Sequence, residues 1–325
     1  MRAAILGVTG AVGRTMLRVL EERLPAVDAI VPLASPRSAG KRLSWRGREW
    51  EVTVPGPGAF EGCDVALFSA GSALSKEWAP RAAGEGAVVV DNSSAWRMDP
   101  EVPLVVPEVN AARAAERPKG IIANPNCSTI QLVVPLEAIR RAAGLARVVL
   151  STYQSVSGAG QKGLDAYRAE RDGGSSPSTP FPGPIFGNVI PRIGPMRDSG
   201  WTEEEEKMRN ESRKILGLPG LPVAATCVRV PVEVGHAVTA AVETERPLTP
   251  GEAAEALSSM PGVRVFDATR DPVPLEAADT DEVCVGRLRQ DPDRPNVLHM
   301  WIVADNLRKG AATNAVQIAD VVLRG

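Results

Sequence analysis

The fold is decided near the N-terminus, by the stretch Arg2-Ala3-Ala4-Ile5-Leu6-Gly7-Val8-Thr9-Gly10-Ala11-Val12-Gly13. Its first five residues predict a short strand, and the apolar residues Met16, Leu17 and Leu20 follow the last glycine at helical spacing. A glycine-rich turn between a strand and a helix lets the backbone approach a pyrophosphate, whose charge the helix N-terminus stabilises. The spacing is G-x-x-G-x-x-G rather than G-x-G-x-x-G, so a plain tight turn remains the alternative to nucleotide binding.

The loop after the second predicted strand, residues 28–34, bears on the type of nucleotide. Pro32 within that strand cannot donate to a sheet ladder, and we interpret it as a defect near the strand's end. An NAD site has Asp or Glu after this strand to bond the ribose 2′-OH, whereas this chain has hydroxyl and cationic side chains there. They suit a 2′-phosphate and favour NADP, with a solvated polar loop as the alternative. The side chains are those of Ser35, Arg37, Ser38 and Lys41.

A later strand-like run, residues 87–90, ends in the polar stretch Asp91-Asn92-Ser93-Ser94-Ala95-Trp96-Arg97. In an open α/β sheet, ligands bind at the carboxyl ends of the strands. Asn92 and Arg97 are therefore candidates for binding an anion, and a capping or loop-bracing role is the alternative for each. We predict an α/β fold with an N-terminal Rossmann-type dinucleotide-binding domain.

A cysteine stands between a Pro-containing turn and a predicted helix in Asn124-Pro125-Asn126-Cys127-Ser128-Thr129-Ile130. The free N–H groups and the dipole at a helix N-terminus favour a thiolate. Cys127 is thus a candidate nucleophile, although a lone Cys beside a strand is more often a buried apolar residue.

The C-terminal half supplies possible partners for this thiol. Gln154 ends a predicted strand and can donate to a carbonyl, and Arg229 leaves the apolar face of another strand with a guanidinium that matches a carboxylate. His236 follows Arg229 by seven residues, whereas His299 lies in an apolar run and is predicted to be structural. Loop bracing remains open for Gln154, and a purely structural role remains open for His236.

Residues 172–207 contain a Pro-, Gly- and Ser-rich connector followed by a helix. A connector this long is functional or disordered, and we expect residues 172–200 to be ordered only by packing across a subunit interface or over the active site. Thr202 and Glu205 have capping-box spacing at the start of the helix. Glu203 and Lys207 are i,i+4 partners, so a solvated helix face is the simplest interpretation.

Composition excludes several classes of protein. A net charge of −2 provides no basic field for nucleic acid or anionic membranes, and 4% aromatic residues provide few stacking platforms. The four cysteines are widely spaced and show no CxxC, which argues against a zinc site or a disulfide framework and fits a reducing cytosol. We expect a cytoplasmic protein without a signal peptide or a transmembrane span.

Six motifs together resemble those of the aspartate-semialdehyde dehydrogenase family, in order from about residue 2 to residue 322. Three are the glycine turn and the two stretches quoted above around Asn92 and Cys127. The others are Ser151-Thr152-Tyr153-Gln154-Ser155-Val156-Ser157-Gly158-Ala159-Gly160, Thr226-Cys227-Val228-Arg229-Val230-Pro231-Val232 through His236, and Asp305-Asn306-Leu307-Arg308-Lys309-Gly310-Ala311-Ala312. Ala95-Trp96 departs from many relatives, which have other aromatic residues there, but Arg97 stays in register.

The resemblance implies a reaction and a set of catalytic residues. The reaction is the reversible, NADP-linked conversion of L-aspartate 4-semialdehyde and phosphate to L-aspartyl 4-phosphate. It runs as a reduction on the route to lysine, threonine and methionine. Cys127 is the implied nucleophile and His236 the acid/base. Gln154 is implied to orient the substrate, Arg229 to bind its α-carboxylate and Glu204 to contact its ammonium.

The resemblance also implies the phosphate and cofactor positions, and it implies no metal. The phosphate ligands are Asn92, Arg97 and Lys207. The cofactor residues are Gly7, Thr9, Gly10, Ala11, Val12, Gly13, Ser35, Arg37, Ser38, Ser157, Gly158 and Asn306.

We predict two domains: residues 1–127 bind NADP and are completed by residues 306–325, whose helix returns to this domain. Residues 128–305 form an α+β catalytic and dimerisation domain. A homodimer is expected, with a tetramer as the alternative. Two other functions remain open, namely a sister N-acetyl-γ-glutamyl-phosphate reductase and a non-catalytic NADP-binding homologue. The joint presence of Cys127, Gln154, Arg229 and His236 argues against the second.

Overall fold

The structure is a computed structural model that describes residues 1–176 and 178–324. The chain divides into two compact units. The first contains Met1–Asn126 and the C-terminal segment that begins at Ala311, and the second is Cys127–Gly310. Cys127 and residues 306–310, which we predicted as parts of the first domain, thus lie in the second unit. They do so because Cys127 opens a helix of that unit, and because Arg308 is paired within it, Nε to Asp281 Oδ1 at 2.9 Å.

The first unit contains a parallel sheet of five strands among the described residues. Its helices and strands are β1 (Arg2–Leu6), α1 (Ala11–Arg23), β2 (Ala29–Leu33), β3 (Arg42–Trp45), β4 (Arg48–Glu51), β5 (Val65–Phe68), α2 (Ser72–Gly84), β6 (Val88–Asp91), α3 (Pro107–Asn110), β7 (Ile121–Ala123) and the last helix of the chain, α9 (Thr313–Leu323). The strand order is β2-β1-β5-β6-β7, and every pairing is parallel. The predicted Rossmann-type fold is confirmed.

The C-terminal helix completes the core of the first unit. Val316 and Ile318 of α9 are buried in the same cluster as Ile5 of β1 and Met16 of α1. The buried Asn314 Nδ2 donates to Asn124 Oδ1 at 2.7 Å and to the carbonyl of Val105 at 2.9 Å. The prediction that the chain end returns to the first domain is therefore confirmed.

The second unit contains a mixed sheet of six strands among the described residues. Its helices and strands are α4 (Cys127–Ala143), β8 (Arg147–Gln154), α5 (Gln161–Arg171), α6 (Glu203–Leu216), β9 (Val223–Arg229), β10 (His236–Glu243), α7 (Pro250–Ser258), β11 (Val263–Val265), α8 (Pro274–Ala277), β12 (Val283–Gln290) and β13 (Val297–Ala304). The strand order is β11-β12-β13-β10-β8-β9. The predicted α+β character of this part of the chain is confirmed.

Strand register in this sheet brings three of the predicted site residues to one end. The last residue of β8, Gln154, is paired with the last residue of β9, Arg229, in a parallel ladder. On the other side of β8, Tyr153 is opposite Ala237 in an antiparallel ladder, so His236 at the start of β10 lies at the same end. Both ladders end where β8 ends, which places these side chains around its carboxyl end.

The Pro-rich connector packs within the second unit. Phe181, Ile185 and Ile190 are buried in one cluster with Val156. Ile190 exchanges two backbone hydrogen bonds with Arg229, of 2.9 and 2.8 Å. Residues 181–190 of the connector are therefore ordered against the strand that carries Arg229. No helix in the described part of the chain is both long and apolar enough to cross a bilayer.

Candidate active site

Cys127 is the first residue of α4, and its thiol is half-buried. One turn later, Gln131 Nε2 donates to the backbone carbonyl of His236 at 3.3 Å. Residues i and i+4 share a helix face, so Cys127 lies on the face of α4 that contacts the start of β10. A Cβ atom added at Gly310 would lie 3.0 Å from Cys127 Cβ, so the backbone of residue 310 packs closely against the cysteine.

His236 is fully buried, and its two ring nitrogens have different surroundings. Nδ1 lies 3.0 Å from the backbone N–H and 3.0 Å from the hydroxyl of Ser155. Nε2 has no hydrogen-bond partner in the described residues. Burial, together with the charge of Arg229, holds the pKa of His236 well below its ordinary value, so the ring is neutral near pH 7.

Arg229 is also buried, and its guanidinium lies close to the imidazole. Its Nη1 donates to the carbonyl of Ser155 at 2.8 Å. Burial lowers the pKa of Arg229, and the nearby Glu204 and Cys127 oppose this shift. A Cβ atom added at Gly158 would lie 2.6 Å from Arg229 Nη1 and 3.0 Å from His236 Nε2. Both groups therefore converge on the bare backbone of this glycine.

An amide and a carboxylate stand next to the guanidinium. Gln154 Nε2 donates to Glu204 Oε1 at 3.0 Å, and Gln154 Oε1 accepts from the hydroxyl of Thr152 at 3.1 Å. The two bonds fix the orientation of the amide. Glu204 Oε2 is 3.4 Å from Lys207 Nζ, and Glu203 Oε1 is 3.0 Å from the same ammonium. The second unit thus collects Cys127, His236, Arg229, Gln154, Glu204 and Lys207 around the ends of β8 and β9 and the starts of α4 and α6.

The glycine turn of the first unit has the backbone that a phosphate cradle needs. Gly7 has a φ of +90°, and a Cβ atom there would lie 2.7 Å from the carbonyl oxygen of Ser69. A Cβ atom at Gly13 would overlap the carbonyl of Gly7, so α1 sits directly on the turn. A cavity of about 410 Å³ opens here, and its lining includes Gly7, Thr9, Gly10, Ser35 and Arg37.

A second cavity of the first unit, of about 510 Å³, shares the lining residue Thr9 with this one. Thr9 lines both cavities, and its hydroxyl lies 3.3 Å from Ser38 Oγ. Lys41 and Arg14 also line the second cavity, which gives it a cationic wall. Ala11 and Val12, the remaining predicted cofactor residues of this turn, are the first two residues of α1.

The two predicted anion ligands of the first unit are tied to the turn that precedes Cys127. Arg97 Nε donates to the carbonyl of Asn124 at 3.0 Å, and Arg97 Nη2 donates to the carbonyl of Asn92 at 2.9 Å. Asn92 Oδ1 accepts from Asn124 Nδ2 at 2.6 Å. Asn92 and Arg97 are thereby brought together, while Lys207, the third predicted phosphate ligand, belongs to the second unit.

The predicted cofactor residues are distributed over both units. Those from Gly7 to Ser38 are in the first unit, and Ser157, Gly158 and Asn306 are in the second. Asn306 is buried, and its Oδ1 accepts from Ser155 Oγ at 3.0 Å, Ser157 Oγ at 3.3 Å and Gly235 N at 2.9 Å.

Sequence reasoning did not single out three residues that shape the site. Ser155 contacts His236, Thr152 orients Gln154, and Gly310 permits the close approach to Cys127. Ser155 and Thr152 lie close to Gln154 in the chain. This proximity was the signal that the sequence offered for them. The partners of Ser155 and Gly310 come from distant parts of the chain, so no local pattern identifies these two residues.

These features define a class: a two-unit protein with a dinucleotide-binding sheet and a thiol-centred site at a helix start. Comparison with known proteins narrows the class. Residues 2–117 match the semialdehyde dehydrogenase NAD binding domain, and residues 136–309 match the semialdehyde dehydrogenase dimerisation domain. The chain belongs to the semialdehyde dehydrogenase family.

Individual relatives are similar over their whole length. The chain is 51% identical over 333 residues to an aspartate-semialdehyde dehydrogenase from Aquifex aeolicus, covering 99% of this chain and 98% of that one. It is 45% identical to the enzyme of the same name from Bacillus subtilis, covering 98% and 96%. The crystal structure of aspartate semialdehyde dehydrogenase II from Vibrio cholerae, complexed with ASA, matches with a TM-score of 0.96 at 45% identity, covering 99% and 98%.

Proposed function

We propose that this protein is an NADP-dependent enzyme that converts L-aspartyl 4-phosphate reversibly to L-aspartate 4-semialdehyde and phosphate through a Cys127 thioester. The observation that carries the proposal is the cluster at the carboxyl end of β8. A helix-start thiol, a buried imidazole, a buried guanidinium and a paired amide and carboxylate meet there, in a chain 45–51% identical to relatives of this name. These groups match a short substrate that has a carboxylate, an ammonium and an acyl phosphate.

The substrate is held by charge and hydrogen bonding. Arg229 is buried from solvent. A bidentate hydrogen bond from its guanidinium to the α-carboxylate is therefore strong and geometrically specific. Glu204, also buried, provides a carboxylate for the ammonium. An acylated nitrogen carries no such charge, which makes an N-acetyl-glutamyl substrate a poor match for Glu204. Gln154, oriented by Thr152, donates toward the reacting carbonyl group.

Cys127 is the nucleophile of the proposed reaction. In the reductive direction its thiolate forms a bond to the acyl carbon, and the C–O bond to phosphate breaks with its electron pair leaving on phosphate. The free N–H groups at the start of α4 stabilise the oxyanion and the thiolate. Asn92, Arg97 and Lys207 are the proposed phosphate ligands. His236 is the proposed group for proton exchange with the substrate oxygen.

The first unit fits a dinucleotide. Side chains at Gly7 and Gly13 would fill the turn, and a cavity of about 410 Å³ lies beside it. Gly7, Thr9, Gly10, Ala11, Val12 and Gly13 would hold the pyrophosphate, and Ser157, Gly158 and Asn306 are the proposed cofactor residues of the second unit. NADPH, when bound, supplies the hydride that reduces the thioester. A crystal structure of aspartate semialdehyde dehydrogenase from Candida albicans with NADP has a TM-score of 0.78 to this chain at 25% identity.

The preference for NADP over NAD rests on the cationic and hydroxyl side chains near the turn. Ser35, Arg37, Ser38 and Lys41 line the two cavities. A 2′-phosphate would form charge-assisted bonds with them. We expect Arg37→Ala to lower kcat/KM for NADP about 10- to 100-fold and to leave kcat/KM for NAD within about twofold.

We also propose that the protein is a homodimer formed through the second unit. The support is the match of residues 136–309 to a dimerisation domain. A tetramer remains the alternative state that sedimentation would reveal.

The test is the phosphate-dependent oxidation of aspartate semialdehyde, followed with NADP and NAD in parallel and with N-acetyl-glutamate semialdehyde as the competing substrate. We expect turnover that requires phosphate, prefers NADP and is at least about 100-fold better with the free amino substrate. Faster turnover of the acetylated substrate would assign the sister reductase activity, and the absence of phosphate-dependent turnover would refute the proposal.

A further inference from the structure

The proton position on His236 is determined by its neighbours. The backbone N–H of Ser155 points at His236 Nδ1 from 3.0 Å. A backbone N–H can only donate, so Nδ1 must present its lone pair. The neutral ring therefore carries its proton on Nε2.

The Ser155 hydroxyl belongs to the same hydrogen-bond network. Gly235 N donates to Asn306 Oδ1 at 2.9 Å, which identifies that atom as the carbonyl oxygen of the amide. Ser155 Oγ lies 3.0 Å from this oxygen and 3.0 Å from His236 Nδ1, and both atoms accept. The single hydroxyl proton therefore has two acceptors, and when it points at Nδ1 the ring nitrogen receives both the N–H and the O–H of Ser155.

The other end of the ring faces the site. His236 Nε2 is buried, has no partner in the described residues, and lies next to the bare Gly158 backbone with Arg229 Nη1. A buried polar atom without a partner is rare in folded proteins and marks a place where a ligand atom is expected. An Nε2–H there is a hydrogen-bond donor aimed at an incoming oxygen.

We infer that Ser155, held by Asn306, is a positioning residue that keeps resting His236 neutral with its proton on Nε2, so that His236 meets the reacting oxygen as a hydrogen-bond donor. This inference rests on the proposed function only for the identity of that oxygen. A neutral imidazole that donates in this way stabilises developing negative charge without giving up its proton. No bond to hydrogen breaks at this stage.

Net proton transfer requires the charged ring, and Ser155 controls access to it. A second proton on Nδ1 needs an acceptor, and Ser155 Oγ, 3.0 Å away, provides one when its own proton is donated to Asn306 Oδ1. The charge of Arg229 disfavours a positive charge on the His236 ring. Glu204 and Cys127 are close enough to Arg229 to interact with it electrostatically. Other ionisable groups on the flanking loops include Asp305, which accepts from backbone N–H groups of Leu307 and Arg308, and Glu233, which pairs with Arg168 and Arg171. The loop of Asp305 also carries the buried cations Arg308, which pairs with Asp281, and Lys309.

The direct test is a long-range nitrogen–proton NMR spectrum of the full-length protein with ¹⁵N-labelled histidine at pH 7.5. The chain has 2 histidines, so a His299→Gln variant assigns the His236 signals. We expect an unprotonated Nδ1 and a protonated Nε2. A proton on Nδ1, whether alone or with one on Nε2, would overturn the inference. The spectrum needs no substrate, so it stands even if the proposed reaction fails.

A pair of serine variants tests the role of the hydroxyl. Ser155→Ala keeps the backbone N–H, so the NMR pattern should stay, while kcat falls at least about tenfold with KM within about twofold. Ser151→Ala, on the same strand but away from His236, should leave both constants unchanged. Equal kcat for Ser155→Ala and the parent protein would show that the Ser155 hydroxyl takes no part in proton transfer.

Discussion

Gly158 and Gly310 shape the site by having no side chain. Each lies against a residue of the proposed site, Gly158 against Arg229 Nη1 and His236 Nε2, and Gly310 against Cys127 Cβ. The space that a Cβ atom would take is the space in which a substrate must meet these groups. A single methyl group at either position therefore tests the geometry without altering any charge.

We predict that Gly158→Ala lowers kcat/KM about 100-fold, because displacing Arg229 or His236 by a few tenths of an ångström to 1 Å misaligns the substrate. Steady-state kinetics at saturating cofactor measures the loss. Gly183→Ala is the matched control, since a Cβ atom there meets nothing within 4 Å. Full activity of Gly158→Ala would mean that Arg229 and His236 do not converge on the substrate as described.

At the scale of elements, the N-terminus of α6 lies at the proposed substrate site, so its cap bears on both stability and substrate binding. Thr202 and Glu205 form a capping box, and the same first turn carries Glu204, with Lys207 directly after it. Helix α7 begins with an equivalent box from Thr249 and Glu252, in a part of the unit to which no site residue is assigned. The two helices offer the same capping change with and without a neighbouring substrate contact.

We predict that Thr202→Ala and Thr249→Ala each lower the free energy of unfolding by about 1 kcal/mol, because each leaves a backbone N–H without its cap. Denaturant titration measures this cost. Only Thr202→Ala should also raise KM for the semialdehyde, since it loosens the turn that holds Glu204. Equal KM values for the two variants would show that the cap of α6 does not affect substrate binding.

The helices and strands themselves could largely be predicted from the sequence. Periodicity and turn chemistry predicted β1, α1 and the start of α4, because those signals are local. Pro32 was interpreted as a defect near a strand end, but β2 is an edge strand, where a missing N–H costs little.

Contacts between residues far apart in the sequence could not be predicted in the same way. The pairing of Gln154 with Arg229 depends on the strand order β10-β8-β9 of the second sheet. No spacing in the chain specifies that order. The bonds from Ser155 to His236 and Asn306 depend on it too, and they were missed for that reason.

At the scale of the whole molecule, burial of His236 couples stability to pH. Its pKa is depressed in the folded state, chiefly by burial, whereas the unfolded chain has the ordinary value of about 6.5. Below that pH the unfolded state binds a proton that the folded state does not. Stability therefore falls as pH falls from 6.5, by up to about 1.4 kcal/mol per pH unit from this residue.

We predict that this slope is smaller in His236→Gln than in the parent protein between about pH 5 and 6.5, because the variant has no imidazole to protonate on unfolding. Thermal unfolding followed across this range measures the difference. His299→Gln leaves His236 in place and should keep the larger contribution. Parallel curves for the parent protein and His236→Gln would show that His236 is not held neutral.

Cys127 is proposed to form the covalent thioester, and its role can be measured directly by phosphate-dependent NADPH formation from aspartate semialdehyde by Cys127→Ala. We predict a loss of about 10⁴-fold or more with the fold intact, because the variant lacks the proposed nucleophile. Cys227→Ala is the control, since burial raises the pKa of that thiol and keeps it protonated. Near-normal turnover by Cys127→Ala would rule out a thioester on Cys127.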